Sequence, residues 1–359
     1  MRIGIIGTRG IPNHYGGFEQ FAEYLAPELV KRGHEVAVYC QKHHPYASTT
    51  FQGVDLIKCA DPEFLGTASQ FIYDLNCILD SRKRSFDVIL QLGYTSSSIW
   101  HWALPKSSVV ITNMDGLEWK RSKYKPFIQQ FLKYAESLAV KNSDKLVADS
   151  VGIQDYLQTE YGLSSSFIAY GAEIPAKALN HHLNKFELTP SKYDVLIARI
   201  EPENNVEIIL EAHSQLDGGI PLVVVGNMHA NAFGQGLLQQ YAGGNFLFVG
   251  AIYEKEKLDA LRQNCRYYFH GHSVGGTNPS LLEAMACGAK IIAHDNPFNR
   301  GVLKDFGRYF DRASSLLNVL QTARDDDFKT EEEIRHIEKD YHWNGIVDAY
   351  EYLFMSALK

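Results

Sequence analysis

Two glycine-bearing loops in this sequence have the residue types to hold an anion. The more specific one runs His270-Gly271-His272-Ser273-Val274-Gly275-Gly276-Thr277-Asn278-Pro279-Ser280-Leu281-Leu282-Glu283. An apolar stretch leads into it, Pro279 suits a first helical position, and Glu283 falls one turn into the helix that follows. Glycines let backbone N–H groups approach a ligand, and a helix start adds partial positive charge. Gly275, Gly276, Thr277, Asn278, Ser280 and Leu281 therefore form a candidate cradle for a diphosphate. The Glu283 carboxylate could accept both hydroxyls of a ribose. Alternatively it only supports the helix start, by about 0.3–1 kcal/mol. His270 and His272 share one face of an extended segment, but no third ligand is near, so no metal site is expected.

The first loop, Gly7 to Glu19, contains Gly16-Gly17 directly ahead of a helical pattern, so the same anion logic applies. The competing explanation is a loop that only needs unusual dihedrals. A dinucleotide fold is disfavoured: the loop is not Gly-x-Gly-x-x-Gly, and the second strand ends Val38-Tyr39-Cys40-Gln41 with no acid for an adenosine ribose. Arg199, in Ala198-Arg199-Ile200-Glu201-Pro202-Glu203-Asn204-Asn205, offers a planar fork suited to phosphate, unless it pairs with Glu201 or Glu203. Asp115 and Glu118 follow a strand of the first half and are candidate base or acceptor-positioning acids, although Asp115-Gly116 also reads as a turn and Glu118 could pair with Arg121.

The elements that must carry these residues alternate. Short apolar strand patterns at Arg2–Gly7, His34–Cys40, Val54–Lys58, Asp87–Leu92, Ser108–Thr112 and Lys145–Ala148 are separated by helical spacing at Phe18–Arg32, Ala68–Arg84, Lys125–Lys141 and Val151–Tyr161. Pro27 is expected to kink or split the first helix. After an irregular linker at Pro175–Tyr193, strands recur at Asp194–Ala198, Pro221–Gly226, Asn245–Gly250, Arg266–His270 and Lys290–His294. Helices fit Val206–Leu216, Lys255–Asn264 and Ser280–Cys287. Two doubly wound α/β domains facing one cleft are predicted. The acid-rich stretch Asp325–Asp340 reads as a solvated helix or loop, and a last apolar-periodic helix follows Trp343.

These segments resemble a known family along the whole chain, the GT-B-fold family-4 retaining glycosyltransferases. The Gly16-Gly17 loop resembles that family's acceptor-side loop, Ala198–Asn205 its donor-phosphate segment, Ser280–Gly288 the helix with its nucleotide-ribose glutamate, and the helix after Trp343 the one that crosses back to the first domain. Ile6–Pro12 with Tyr15–Glu19, and His270–Glu283, are similar to the bacterial rhamnosyltransferase branch. The resemblance implies a GT-B architecture. It has an N-terminal acceptor-side Rossmann-like domain (residues 1–173 plus 343–359) and a C-terminal nucleotide-sugar domain (residues 174–342).

It also implies metal-independent transfer with retained anomeric configuration and no cofactor beyond the donor, dTDP-rhamnose. The leaving phosphate would take the proton while Asp115, Glu118 and Arg199 act at the reacting groups. Donor contacts would come from Gly16, Gly17, Arg199, Asn204, His272, Gly275, Gly276, Thr277, Asn278, Ser280, Leu281 and Glu283. Two departures stand out. Gly275 occupies the place of the family's first glutamate, and Asn204 that of its phosphate-binding lysine. UDP- or GDP-linked donors, or a catalytically silent binding protein, are the alternatives.

The bulk properties bound this reading. The chain has 359 residues, with 35 Lys+Arg against 42 Asp+Glu, so nucleic acid is not an expected partner. Its five cysteines lack Cys-x-x-Cys spacing, which argues against zinc ribbons and a disulfide framework. No apolar run reaches the roughly 18 residues of a membrane span, and the first residues do not read as a signal peptide. A cytoplasmic location at the inner face of the membrane is expected. Lys120, Arg121, Lys123 and Lys125, interleaved with Trp119, Tyr124 and Phe127, form a candidate basic and aromatic patch for a membrane and a lipid-linked saccharide acceptor. The same stretch would also suit a core helix with a solvated basic edge.

Overall fold

The computed structural model describes residues 1–66, 68–121, 124–177, 181–216 and 218–359. The chain divides into two compact units. One holds Met1–Lys120, Tyr124–Tyr170 and Trp343–Lys359; the other holds Arg121 and Gly171–His342.

The first unit is built on β1 (Arg2–Ile6), β2 (Glu35–Gln41), β3 (Thr50–Phe51), β4 (Val54–Cys59), β5 (Val88–Leu92), β6 (Val109–Asn113), β7 (Lys145–Ala148) and β8 (Ser166–Phe167), in the order β3-β4-β2-β1-β5-β6-β7-β8. Every pair is parallel except the β3–β4 hairpin. Ile3, Ile5, Val88, Ile89 and Leu90 are fully buried, as in a central sheet covered on both faces. The covering helices are α1 (Gly17–Lys31), α2 (Ala68–Ser81), α3 (Pro126–Asn142) and α4 (Val151–Tyr161).

Pro27 lies inside α1 and does not divide it. Proline removes one backbone donor, but Phe21, Ala22, Leu25, Ala26 and Leu29 are all buried on one face and hold the helix down. Gly33, at φ 88°, lets the chain turn out of the helix toward β2.

In the second unit the helices are α5 (His181–Asn184), α6 (Val206–Ser214), α7 (Ala232–Gln240), α8 (Lys255–Asn264), α9 (Pro279–Ala286), α10 (Pro297–Leu303), α11 (Ala313–Thr322) and α12 (Thr330–Asp340). Its strands are β9 (Asp194–Ile197), β10 (Leu222–Val225), β11 (Phe246–Gly250), β12 (Tyr268–His270), β13 (Ile291–His294) and β14 (Arg308–Phe310), all parallel, in the order β11-β10-β9-β12-β13-β14. The chain winds outward from β9 through β10 to β11, then returns to place β12 on the other flank of β9. The switch point therefore lies between β9 and β12, where ligands of open α/β sheets bind beyond the strands' carboxyl ends.

The acid-rich stretch is mostly exposed, as its composition predicts, with one buried edge. Thr330–Asp340 is α12, and Glu333 and Ile337 are buried. The last helix, α13 (Trp343–Ala357), packs in the first unit. Trp343 stacks on Tyr24 at 4.6 Å between ring centroids, Tyr350 meets Phe21 at 5.2 Å, and Arg32 reaches Asp348 at 2.6 Å and Glu351 at 2.7 Å. All five cysteines are free thiols. Among the described residues no helix is long and apolar enough to cross a membrane.

Candidate functional site

At the switch point of the second unit, the loop after β9 and the loop after β12 are stitched together. The Asn205 side-chain amide donates to the Gly271 carbonyl at 2.7 Å, and the Ser273 amide and hydroxyl donate to the Glu203 carbonyl at 3.0 and 2.8 Å. Gly271 must be glycine, because a Cβ there would lie 2.0 Å from the Asn204 carbonyl oxygen. The loop after β12 is anchored from its far side too. The His272 carbonyl accepts the side-chain amides of Asn296 at 3.0 Å and Asn299 at 2.9 Å.

Arg199 is exposed on this frame. Close by, the His272 imidazole is pushed down to about 3, first by burial and then by the charges of Arg199 and Arg121. It is therefore a neutral ring that can exchange a hydrogen bond with a ligand without adding charge. His270 stacks on His272 at 4.5 Å, and its buried ring nitrogens find no hydrogen-bond partner among the described residues.

Several residues expected to touch a donor are turned to other tasks. Asn204 is buried, and its side-chain amide donates to the Arg199 carbonyl at 2.7 Å, so it shapes the loop that presents Arg199. The Asn278 side chain caps α9 by accepting the Ser280 amide at 2.9 Å, and its carbonyl accepts the Leu281 amide at 3.0 Å. The Ser280 hydroxyl meets the Tyr268 hydroxyl at 2.7 Å, and the Leu281 side chain is buried. Ser280 and Leu281 thus belong to the helix start. In the rest of the loop, Gly275 holds φ 130°, a conformation that side chains disfavour, and Thr277 is buried. Glu283 lies beyond the first turn of α9 and pairs with buried Arg262 of α8, so it is not a helix-start acid.

In the first unit, the first loop accommodates an anion of its own. The Glu19 carboxylate is buried at the start of α1 and accepts the Arg9 amide at 2.7 Å; burial pushes its pKa up while the surrounding amides pull it down. The Gly16 amide is engaged by the Asn13 side chain at 3.2 Å. The helix start thus already has a carboxylate beside it, and the Gly16 amide has a partner within its own loop. Gly17, the first residue of α1, remains exposed.

Asp115 lies just past the carboxyl end of β6 at φ 51°, and its amide donates to the Asn113 side-chain oxygen at 3.0 Å. The Asn113 amide nitrogen in turn donates to the Tyr350 hydroxyl of α13 at 3.0 Å. The charges of Asp115 and Glu118 both reach the buried Tyr94. Its hydroxyl is pushed well up, first by burial and then by Glu136, Glu118 and Asp115.

Buried Glu136 on α3 is the anchor of this segment. It accepts five donors: the Tyr94, Tyr156 and Tyr161 hydroxyls, the Trp119 indole N–H at 3.0 Å and the Lys133 ammonium at 3.1 Å. Of the basic patch, Lys120 is exposed near the Trp119 ring, and Lys125 is exposed at the start of α3. Arg121 instead meets the buried Glu203 at 3.4 Å, which removes it from any lipid-facing set. Lys123 lies outside the described residues. Among those residues, no group of three or more His, Cys, Asp and Glu side chains is placed to hold a metal ion.

Residues 182–314 match the family described as glycosyl transferases group 1. Residues 1–173 match a domain of unknown function, DUF1972. No curated protein matches the chain. Its fold is that of solved structures spanning the whole chain. Sucrose-phosphate synthase (tll1590) from Thermosynechococcus elongatus superposes with a TM-score of 0.81 at 16% identity, covering 99% of this chain and 98% of that one. Alr3699/HepE from Anabaena, in complex with UDP and glucose, gives a TM-score of 0.78 at 14% identity and 99% coverage of both chains. A glycosyltransferase from Rickettsia africae ESF-5 gives 0.71 at 14% identity, covering 100% and 98%. The architecture is GT-B.

The group 1 glycosyltransferase match begins in α5 and ends in α11, so it contains Arg199, the His270–Asn278 loop, Arg262 and Glu283. Reading the sequence located the loop and Glu283 but missed Arg262 and Asn205. Arg262 lies 21 residues from Glu283 and carries no local motif. Asn205 had a signal: an asparagine directly ahead of a helix tolerates the left-handed backbone it adopts here, at φ 49°.

Proposed function

We propose that this protein is a retaining, metal-independent glycosyltransferase. It moves rhamnose from dTDP-rhamnose to a lipid-linked sugar during bacterial surface-polysaccharide assembly, attached peripherally to the inner face of the membrane. The observation that carries the reading is the constellation at the β9/β12 switch point: Arg199, the Gly275–Thr277 turn, neutral His272 and Glu283 fixed by Arg262. Transfer from a nucleotide sugar requires stabilisation of a departing diphosphate, usually the largest catalytic term. Arg199 would supply a phosphate-matched fork, the glycine turn would supply amides, and His272 a neutral hydrogen bond.

Glu283 would hold the nucleoside sugar. One of its oxygens already receives the Arg262 guanidinium, and the remaining acceptor positions of the carboxylate would take the sugar hydroxyls. In the first unit Asp115 and Glu118 would orient the acceptor hydroxyl, while the leaving phosphate takes its proton. Support for the peripheral attachment is the exposed aromatic and basic set Lys120, Lys125, Phe127 and Tyr134.

The deciding experiment is a donor screen, with dTDP-rhamnose, UDP-glucose and GDP-linked sugars offered against lipid-linked monosaccharides, and NMR of the product's anomeric configuration. Transfer from dTDP-rhamnose with retention supports the reading. Transfer from UDP-glucose alone, the ligand pair seen in HepE, would move the donor assignment while keeping the reaction class. Nucleotide binding without transfer to any acceptor would favour a binding protein.

A further inference from the structure

A line of alternating charges runs from the surface of the second unit to Glu283. Lys255 reaches Asp259 at 2.6 Å, Asp259 faces Arg262 at 3.6 Å, and Arg262 pairs with Glu283. The Arg262 side chain is 2% exposed and that of Glu283 22%, so Glu283 is where this line meets solvent on the site side. The same guanidinium approaches the Ser280 hydroxyl at 3.5 Å, and that hydroxyl bonds Tyr268 of β12. Arg262 therefore touches α9 twice, at its second residue and at its fifth.

A buried ion pair is a poor device for stability alone. Taking two charges from water costs as much as their attraction returns, and apolar residues of similar volume serve as well or better. Arg262 also has no acceptor for its Nε among the described residues, so the arrangement is not optimised as a core network. What it does achieve is direction: a rigid planar fork, itself braced by Asp259, fixes the rotamer of a carboxylate at the edge of the switch point.

We propose that Arg262 is a positioning residue that orients Glu283 toward the sugar of the nucleoside, with Asp259 and Lys255 bracing it from behind. The inference rests on the proposed role of Glu283 in nucleotide binding. A residue that acts only through the nucleoside sugar affects nucleosides and not bare phosphates, whereas a structural residue disturbs the whole loop and weakens both.

The test uses the full-length protein and compares binding of dTDP with binding of inorganic pyrophosphate, by calorimetry or by competition. In Arg262→Gln, dTDP binding is expected to weaken about tenfold, the loss of a well-placed charged hydrogen bond. Pyrophosphate binding is expected to stay within about twofold. Arg262→Lys, which keeps the charge and the fold but not the fork, should fall between the wild type and Gln. In a Glu283→Gln background, Arg262→Lys should add no further loss. Equal weakening of dTDP and pyrophosphate, or additive losses in the double variant, overturns the proposal. Should Arg262→Gln fail to fold, Arg262→Lys alone decides it by the same two comparisons. Unchanged dTDP binding in Glu283→Gln alone is a different failure: it removes the nucleotide role of Glu283 itself.

Discussion

Asn205 holds a left-handed backbone at φ 49° while its side-chain amide donates to the Gly271 carbonyl at 2.7 Å. One residue thus ends the loop after β9, starts α6 and ties down the loop after β12. The tie works because Gly271 has no side chain, which lets the Asn204 carbonyl pass within 2.0 Å of where a Cβ would be.

Gly271→Ala should therefore force the two loops apart. Overpacking of this kind costs about 1–3 kcal/mol, and the carbonyl in question cannot give way without moving Arg199. Nucleotide affinity should fall together with the melting temperature. Asn205→Gly separates two effects: it keeps the backbone conformation and loses only the hydrogen bond, so it should be milder than Asn205→Ala, by about 1 kcal/mol in urea titrations.

Asp115→Asn should lower turnover by about 10²–10⁴-fold, as when a proton-handling or orienting carboxylate is lost, with dTDP affinity unchanged. The asparagine keeps the backbone conformation at φ 51°, and the Asn113–Tyr350 bond is untouched. Near-normal turnover would transfer the role to Glu118.

Much of this arrangement was legible in the sequence because it is local. A strand that runs into a glycine loop and then a helix is recorded within about twenty consecutive residues, so β1 to α1, β12 to α9 and the Arg199 segment could all be placed. What escaped is long-range or small. Arg262 and Glu136 find partners on other elements, and nothing in their own neighbourhoods marks them as buried charges. The edge strands β3, β8 and β14 have two or three residues each, too few for a period to show. The first loop also holds a group that its glycines do not announce: the buried Glu19 carboxylate, three residues along the chain from the Gly16 cap, accepts the Arg9 amide.

Asp74 gives a pH signature. It is buried on α2, accepts the Ser96 hydroxyl at 2.5 Å and the Gln70 amide at 3.0 Å, and burial raises its pKa to about 6 despite both. The folded state thus holds the proton more tightly than the unfolded chain, whose carboxyl titrates near 3.8. The stability this provides is complete below about pH 4 and is lost as pH rises through about 6. Asp74→Asn can keep both hydrogen bonds, since the serine hydroxyl can rotate to accept. At pH 7.5 the variant should be more stable than the wild type by up to about 3 kcal/mol, and at pH 4 the difference should vanish. Thermal or urea unfolding at the two pH values measures it; a pH-independent difference would show that Asp74 is ionised throughout.

Phe127 is 66% exposed and Tyr134 58%, both on α3, with Lys125 exposed beside Phe127. A paired substitution, Lys125→Glu with Phe127→Ser, should cut binding to vesicles rich in anionic phospholipid, at about 1 kcal/mol for the lost cation near the surface and more for the reversed charge and the buried ring. Solution nucleotide binding should not change. Equal vesicle sedimentation before and after would detach membrane attachment from this face.

Substitution at Glu136 should have the largest effect on stability. Its carboxylate is buried beneath the Trp119 segment and receives donors from Tyr94, Trp119, Lys133, Tyr156 and Tyr161. Removing one partner from a buried charged network leaves the others desolvated and unmatched, so Glu136→Ala should lose about 3–5 kcal/mol. Glu136→Gln keeps the shape and one acceptor oxygen but turns an N–H toward a donor, so it should lose less. The two variants also differ at the site. The alanine frees the Trp119 indole and with it the 3-10 turn Glu118–Lys120, so turnover should fall with stability. The glutamine keeps an acceptor near Trp119, so it should retain most turnover at temperatures where both variants are folded. Equal turnover in the two, measured below their melting transitions, would mean that Glu136 supports the core without placing Glu118.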